Sequence, residues 1–306
     1  MKAFKSILEF QKEFSTEEKC REYLEQQRWN STPACPFCGS INVCRFSNGR
    51  IFKCREKGCR SKFSVTVGTI YENTKIPLTK WFLATYILAV HSKGISSLQL
   101  ATWLGVTQKT AWHLNHRIRH MLTNNAPELL DGICEVDETY VGGKNGNKHL
   151  KKRPKLSGVE GKAMVVGLLD RQGKVKTFVL PDTKQERIVE LIKSNITKDA
   201  QIITDNHPSY RSLTSEGFSH VIIKKIPFVY ITEGPWHTNN MEGYWSILKR
   251  GIYGIYHQVS PKHLQRYCNE TAFRYNNRKT LQDERFANAL ANCNGSLKYK
   301  TLVGKK

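Results

Sequence analysis

Four cysteines near the start of the chain constrain its folding more than any other feature. They form two pairs, Cys35 with Cys38 and Cys54 with Cys59, and fifteen residues separate the pairs. Two turns of this kind bring four thiolates to the corners of a tetrahedron, which is the geometry of closed structural Zn²⁺ sites. A short hairpin is expected between the pairs, around Gly49. The spacing predicts a zinc ribbon, and the alternative is four unrelated buried cysteines.

The other cysteines do not extend this pattern. The chain has nine cysteines, and an odd number argues against a secreted disulfide framework. The first residues lack the apolar segment of a secretory signal. The most apolar stretch, 81–90, is about half of the roughly 20 residues that a membrane-spanning helix needs. These features predict a cytoplasmic protein with no membrane partner.

The charge balance indicates what the protein binds. The 306 residues include 48 Lys and Arg against 26 Asp and Glu, which gives a net charge of +22. Such a surplus repels itself in a compact fold unless a polyanion neutralises it. Nucleic acid is therefore the expected partner, which would place the protein on the nucleoid, and a basic scaffold protein is the alternative. The length predicts about two domains.

The N-terminal part of the chain divides into three predicted segments. Residues 1–30 are expected to be helical, 31–66 to form the zinc ribbon, and 78–122 to form three helices. A turn at Gly105 predicts a helix-turn-helix whose second helix lies in the major groove of DNA. An ordinary helical hairpin with a solvated basic face is the alternative. The residues expected on the outward face of the second helix, with side chains suited to bases or phosphates, are Gln108, Lys109, His113, Arg117 and Arg119.

Residues 130–280 show the pattern of a separate α/β domain, and 281–306 are expected to be a C-terminal tail. Alternating apolar residues predict strands, and a period of 3.6 residues predicts helices. Their order indicates one mixed sheet with helices on its faces. The expected strands are 133–141, 163–169, 174–180, 200–204 and 220–224. The expected helices are 183–196, 208–217, 239–250 and 262–277.

Three acidic residues of this domain are candidate metal ligands. Asp137 lies in the first predicted strand, Asp205 ends a later strand, and Glu242 opens a helix. If the two strands are neighbours, the carboxylates can converge and hold two Mg²⁺ ions about 4 Å apart, the arrangement used for phosphoryl transfer. Each acid also has a simpler interpretation. Asp137 fits an exposed strand position, Asp205 fits a cap, and Glu242 fits a capping box.

Two basic stretches belong to the same domain. Residues 142–162 contain seven Lys or Arg and one acid, and Lys249 and Arg250 lie in the acid-free stretch 243–269. Basic loops are commonly only solvated. Two of them beside candidate metal ligands indicate a track for a phosphate backbone.

The sequence resembles the bacterial insertion-sequence DDE transposases with an N-terminal zinc ribbon, the group related to eukaryotic Merlin transposases. The likeness runs over nearly the whole chain and is carried by CPFCG at 35–39, EVDETYVGG at 135–143, EGYWS at 242–246 and FRYN at 273–276. Further matching stretches are 62–69, 75–78, 94–97, 104–112, 204–205, 237–239 and 248–250. One departure is the second cysteine pair, whose four intervening residues exceed the two that are common in such ribbons.

The resemblance implies an RNase H-like catalytic domain in which Asp137, Asp205 and Glu242 bind Mg²⁺ or Mn²⁺. Glu135, Glu138 and His237 are nearby residues that could assist, although they are not placed among the three acids. The resemblance also implies an enzyme that binds transposon ends, cleaves a phosphodiester bond and joins the freed end to target DNA. It would act as a homodimer or a larger assembly on DNA.

Two other functions remain open at this stage. One is a DNA-binding regulator with an inactive catalytic fold, against which the presence of all three acids argues. The other is a structure-specific nuclease, which need not bind particular ends.

Overall fold

The computed structural model describes residues 4–123, 129–143, 149, 160–182, 184–223 and 236–304. The chain divides into two compact units, the first formed by Met1–Thr123 with Lys279–Lys306 and the second by Asn124–Arg278. None of the helices in these described ranges combines the length and the apolar character that a membrane span needs.

The predicted N-terminal helical segment forms two helices, α1 (Ile7–Glu13) and α2 (Glu17–Trp29). Each has its own cap, because the side-chain oxygens of Ser6 and Thr16 accept hydrogen bonds from backbone N–H groups in the first turn that follows. Such caps satisfy donors that have no partner inside the helix. The second cap divides the segment into two helices.

The ribbon contains a three-stranded antiparallel sheet, with β1 at Val43–Arg45, β2 at Phe52–Cys54 and β3 at Lys62–Phe63. The first two strands form the hairpin that the sequence predicts, and β3 is an addition. Phe52 and Phe63 stack with ring centroids 5.5 Å apart, and Trp29 packs edge-on to Phe52. A module of this size has a small core, and these rings together with the buried Cys35 and Cys54 provide most of it.

Three helices follow, α3 (Leu78–Val90), α4 (Ser97–Leu104) and α5 (Gln108–Met121). Gly105 ends α4 with a φ of +59°, a conformation that glycine adopts at little cost. Thr107 then caps α5 by accepting a hydrogen bond from the backbone N–H of Thr110. The predicted helices and the turn between the second and third are present.

The second unit is built on one five-stranded sheet with the order β6-β5-β4-β7-β8. Its elements in chain order are β4 (Ile133–Val141), β5 (Ala163–Asp170), β6 (Val175–Leu180), α6 (Gln185–Asn195), β7 (Gln201–Asp205), β8 (Ser219–Ile223), α7 (Asn239–Gly251) and α8 (Pro261–Asn276). Strands β4, β5 and β6 pair antiparallel, whereas β4, β7 and β8 are parallel.

Helices cover both faces of this sheet. One hydrophobic core lies between the sheet and α6, and the other lies between the sheet and α7 with α8. The mixed sheet and its helical layers confirm the predicted fold class, and the topology is that of an RNase H-like domain. The predicted helix at 208–217 is wrong, because only a short 3₁₀ turn forms there, at Pro208–Tyr210, in a stretch rich in Ser, Thr and Gly.

The segment described above as a tail contains two helices, α9 (Gln282–Ala291) and α10 (Tyr299–Val303). It belongs to the first unit. Phe286 is fully buried there, stacked on Tyr23 with centroids 5.8 Å apart and in edge contact with Phe10 and Phe82. Burial of an aromatic ring of this size makes the segment part of the core of the first unit.

Candidate active site and zinc site

Three carboxylates line one open cavity of about 860 Å³ in the second unit. They are Asp137 on β4, Asp205 at the end of β7 and Glu242 in the first turn of α7. Strands β4 and β7 are parallel neighbours, with Glu135 opposite Ile203. Two residues further along both strands this register reaches Asp137 and Asp205, on the same face because side chains alternate. The other lining residues are Glu138, Thr139, Trp245, Ser246, Lys249, Arg250, Tyr253 and Gly254.

The three carboxylates differ in exposure and in their hydrogen bonds. Asp137 is buried, and its Oδ2 accepts a hydrogen bond from Nε1 of Trp245 at 2.9 Å. Asp205 is half-buried, and its Oδ1 accepts from the backbone N–H of His207 at 3.0 Å. Glu242 is exposed. Hydrogen bonds from the chain therefore hold two of the acids, and the third faces solvent from α7.

A fourth acid, Glu135, anchors α7 to the sheet. Its carboxylate is fully buried and accepts hydrogen bonds from the backbone N–H of Met241 at 2.8 Å and from Nδ2 of Asn240 at 3.0 Å. The N-cap residue of α7, Thr238, provides no side-chain cap of its own. Glu135 therefore supplies the cap from β4, and a negative charge is favourable at a helix N-terminus.

Arg171 completes this anchor. Its Nε lies 3.1 Å from Oε1 of Glu135, and its Nη1 lies 2.9 Å from Nε2 of His237. Burial raises the pKa of Glu135, and the hydrogen bonds and the Arg171 charge oppose that rise. Burial and then the Arg171 charge lower the pKa of His237, which favours its neutral form.

The predicted assisting residues thus separate. Glu135 and His237 do not line the cavity; Glu135 holds the start of α7 directly, and Arg171 links Glu135 to His237. Glu138 does line the cavity, and its Oε2 accepts a hydrogen bond from the hydroxyl of Tyr210 at 2.5 Å. Arg171 was not identified from the sequence. This residue directly follows β5, two positions after Leu169, which lies opposite Glu135 in the sheet. A basic residue at that strand end was a usable signal.

Cations line the same cavity as the acids. Lys249 and Arg250 follow Glu242 along α7, and a π-helical turn at Ile252–Tyr256 extends this lining to Tyr253. π-turns inside helices occur frequently at functional sites. A cavity lined by acids together with Lys and Arg has the charges that suit a phosphodiester bound with divalent cations. The predicted basic loop at 142–162 falls largely on 144–148 and 150–159, outside the described residues.

The donor set fits Mg²⁺ or Mn²⁺, which prefer carboxylate oxygens. In the described ranges, the four ribbon cysteines are the one set of three or more Cys, His, Asp or Glu residues whose ligand atoms all lie within 4.8 Å of one another. The three carboxylates share a cavity but are spread more widely than that. Two ions about 4 Å apart need ligands distributed over more space than a single ion does.

The ribbon cysteines form a compact four-sulfur site. Sγ of Cys35 lies 3.7 Å from that of Cys59, and Sγ of Cys38 lies 3.6 Å from that of Cys54. These distances exceed a disulfide bond and suit four thiolates around one Zn²⁺. Hydrogen bonds from Ser61 lower the pKa of Cys59 to about 7, which favours the metal-binding thiolate. The wider second pair therefore still brings Cys59 into the cluster.

The predicted DNA-facing side of α5 is only partly exposed. Gln108 and Lys109 are exposed. The structure contradicts the outward position predicted for Arg117 and Arg119, because both are buried. The guanidinium of Arg117 donates to the backbone carbonyl of Glu72 at 3.1 Å and lies 5.1 Å from the ring centroid of Trp81.

His113 is half-buried beneath the C-terminal segment. Its Nε2 lies 3.3 Å from the carbonyl oxygen of Leu297, and its ring contacts Tyr299. Sequence periodicity identified one buried face of α5, but the face that carries His113 and Arg117 is also partly buried. The residues that bury it are distant in sequence, so no local pattern predicts this burial.

Comparisons with known proteins identify the class to which this sheet, its cavity of carboxylates and the four-cysteine ribbon belong, the insertion-sequence transposases. Two protein-family models match the chain: an ISXO2-like transposase domain over residues 129–276 and a transposase zinc-ribbon domain over residues 15–62. Together they take in more than half of the chain. The protein belongs to the IS1595 family of transposases that these two domains characterise.

Two relatives share sequence with this chain over different lengths. The chain is 28% identical over 256 residues to an uncharacterized protein in transposable element ISH50 of Halobacterium salinarum, covering 79% of this chain and 85% of that protein. It is 26% identical over 104 residues to a transposase-like protein of Haemophilus influenzae, covering 34% of this chain and 82% of that protein.

Structural matches are more distant. The catalytic core domain of BIV integrase matches with a TM-score of 0.29 and 13% identity, over 45% of this chain and 81% of that one. The Mos1 transposase in a paired-end complex with its left transposon end matches with a TM-score of 0.23 and 14% identity, over 63% of this chain and 74% of that one.

Proposed function

We propose that this transposase binds the ends of its insertion sequence, cleaves a phosphodiester bond there and joins the freed 3′-hydroxyl to target DNA. The observation that carries the proposal is the convergence of Asp137, Asp205 and Glu242, from two strands and one helix, on one cavity that also contains Lys249 and Arg250. A basic scaffold protein has no need for acids gathered in this way.

The three carboxylates are the proposed ligands of Mg²⁺ or Mn²⁺. When bound, such ions lower the cost of forming the nucleophile and stabilise the leaving oxygen. The chain itself orients Asp137 through Trp245 and holds Glu242 in place by anchoring α7 on Glu135. Lys249 and Arg250 contact the phosphates that flank the reacting bond, because charge-assisted hydrogen bonds to phosphate oxygens are strong.

End recognition is assigned to the first unit. Gln108 and Lys109, exposed at the start of α5, are the proposed base or phosphate contacts. The zinc ribbon, with one structural Zn²⁺ on Cys35, Cys38, Cys54 and Cys59, supports this unit. The protein would work in the cytoplasm on nucleoid DNA, as a homodimer or larger assembly, since two ends must be joined.

The test is a cleavage and joining assay in Mn²⁺ on end DNA, taken from the inverted repeats that flank the gene. Asp137→Asn, Asp205→Asn and Glu242→Gln should each abolish both reactions and leave end binding in gel-shift assays unchanged. Glu190→Gln is the matched control, because Glu190 is an exposed acid on α6 of the same unit. Substantial cleavage by Glu242→Gln would remove Glu242 from the site, because Gln keeps the size of the side chain and removes the charge that a metal ligand needs. The capping box predicted for Glu242 is absent, since α7 begins at Asn239 after Thr238 and has no side-chain cap from its own N-cap residue.

The same assay separates the alternatives. A wild-type protein that binds ends and never cleaves them would be a regulator. Cleavage of branched or random DNA, without preference for the ends and without joining, would indicate a structure-specific nuclease.

A further inference from the structure

We propose that Trp245 is a positioning residue for the metal ligand Asp137, and that Gly167 is required for Trp245 to reach it. This inference rests on the proposed function, because it concerns how one of the proposed metal ligands is oriented. It assigns a role to two residues outside the set of three acids.

The contact between Trp245 and Asp137 is polar and buried. Nε1 of the indole donates to Oδ2 of Asp137 at 2.9 Å, and the two residues are 5% and 7% exposed. A hydrogen bond to an ionised carboxylate is short and strong, and it is stronger in a site that excludes water. The bond therefore fixes the orientation of the Asp137 carboxylate at the wall of the cavity.

Trp245 also connects two of the acids. It lies on α7 three residues after Glu242, and both residues line the cavity. Residues three apart on a helix share a face. The indole therefore links the helix that carries Glu242 to the strand that carries Asp137, and a change in its position alters both ligands together.

Gly167 makes space for this link. It lies on β5 directly opposite Asp137 in the sheet. A Cβ atom at this position would lie 2.8 Å from both Cζ2 and Cη2 of Trp245 and 2.0 Å from Cε of Met241. The methionine methyl can swing away, but the indole cannot without breaking its hydrogen bond. A glycine opposite Asp137 is thus a steric requirement of the contact.

The competing interpretation is that Trp245 only fills the core between the sheet and α7. That role needs a large apolar ring but no N–H group. Trp245→Phe separates the two, because phenylalanine keeps an aromatic ring and cannot donate. Trp81→Phe is the matched control: Trp81 is also buried in the other unit, and its Nε1 donates at 2.8 Å to Oγ1 of Thr74, a hydroxyl and not a carboxylate.

The experiment is a Mn²⁺ titration of the full-length protein without DNA, with the shift in melting temperature as the readout. The Mn²⁺ dependence of end cleavage is measured in parallel. Binding to the folded state raises the melting temperature with metal concentration. Both variants should melt a few degrees lower than wild type without metal. In Trp245→Phe, the Mn²⁺ concentration that gives the half-maximal shift should rise about tenfold, as expected for loss of a partner of a metal ligand. In Trp81→Phe it should not change.

A double-mutant cycle tests Gly167. Gly167→Ala should weaken Mn²⁺ binding about as much as Trp245→Phe does, although the indole N–H is still present. In the Trp245→Phe background, Gly167→Ala should add little, because the ring atoms that it would displace are absent. Full additivity of the two changes would show that Gly167 does not act through Trp245.

The outcomes distinguish this inference from the proposed function. If wild-type protein shows no Mn²⁺-dependent shift and Asp137→Asn behaves identically, the metal site itself is absent and the proposed function fails. If wild-type protein responds and Trp245→Phe responds at the same Mn²⁺ concentrations, Trp245 only fills the core, and the positioning role is overturned.

Discussion

The zinc site and the carboxylate site use opposite ways of building a metal centre. The four cysteines lie between residues 35 and 59, and two turns and a short hairpin suffice to bring them together. The three acids lie between residues 137 and 242, on two strands and a helix, and they meet only after the whole sheet has formed. The zinc site therefore organises the fold of its own module, whereas the geometry of the carboxylate site depends on a fold that other contacts stabilise.

This contrast predicts that substitutions at the two sites have different effects. A local site stabilises its own module, so its loss unfolds that module and leaves the other parts of the protein folded. A distributed site contributes little to folding, and its geometry depends on supporting residues such as Glu135, Arg171 and Trp245. The predictions below test this contrast, from the largest expected effect to the smallest.

The largest effect is expected at the zinc site. Cys38→Ser should reduce the zinc content from one per chain to none by elemental analysis and unfold the ribbon, since structural zinc contributes about 10–16 kcal/mol in zinc-finger peptides. Limited proteolysis should then cut within 31–66, while the melting-temperature response to Mn²⁺ persists. Cys44→Ser is the control, because Cys44 lies in the same hairpin but outside the four-sulfur cluster. Full zinc occupancy in Cys38→Ser would contradict the assignment.

A smaller effect is expected at the anchor of α7. Glu135→Ala should lower the free energy of unfolding of the second unit by about 3–5 kcal/mol, because it leaves Arg171 without its buried partner. Chemical denaturation measures this change, with Glu190→Gln as an exposed control. An unchanged unfolding free energy would mean that α7 is held without the Glu135 carboxylate.

The pH dependence of the same residue gives an independent check. Because the folded state raises the pKa of Glu135, the unfolded state releases this proton at a lower pH. The contribution of Glu135 to the free energy of unfolding is therefore lost as the pH rises from its pKa in the unfolded state to its higher pKa in the folded state. Above that range the contribution no longer changes with pH. Glu135→Gln should lack this loss when its stability is compared with wild type across the acidic range.

The smallest effect distinguishes two basic residues of α5. Arg117→Ala should lower the free energy of unfolding of the first unit by about 1–3 kcal/mol, because the carbonyl of Glu72 loses its donor. Its DNA affinity should keep the wild-type dependence on salt. Lys109→Ala should leave stability unchanged and reduce the slope of log K against log salt by about 0.9, one phosphate contact. If Arg117→Ala instead reduced the salt slope and left stability unchanged, Arg117 would be a DNA contact and not a buried structural residue.

Local patterns predicted most of the secondary structure. Alternating or short apolar stretches identified all five strands of the large sheet, and the Ser, Thr and Gly residues at helix ends placed the turn before α5 at Gly105. The predicted helix at 208–217 failed because a few apolar residues imitate a helical period, and only packing decides whether such a stretch becomes a helix.

The amino-acid sequence by itself determined the cysteine spacing of the zinc ribbon and the order of the five strands in the large sheet, because both depend on residue type and spacing along the chain. Its resemblance to known transposases, and not spacing, selected three of the acids that line the cavity. Tertiary structure alone decided that Arg117 and His113 are covered, that 281–306 joins the first unit, and that Glu135 supports α7 instead of lining the cavity. The physical reason is that each of these outcomes depends on a partner far along the chain, such as Leu297 for His113 or Met241 for Glu135. Spacing encodes what neighbouring residues can do, whereas burial and hydrogen-bond partners are set only when distant segments pack together.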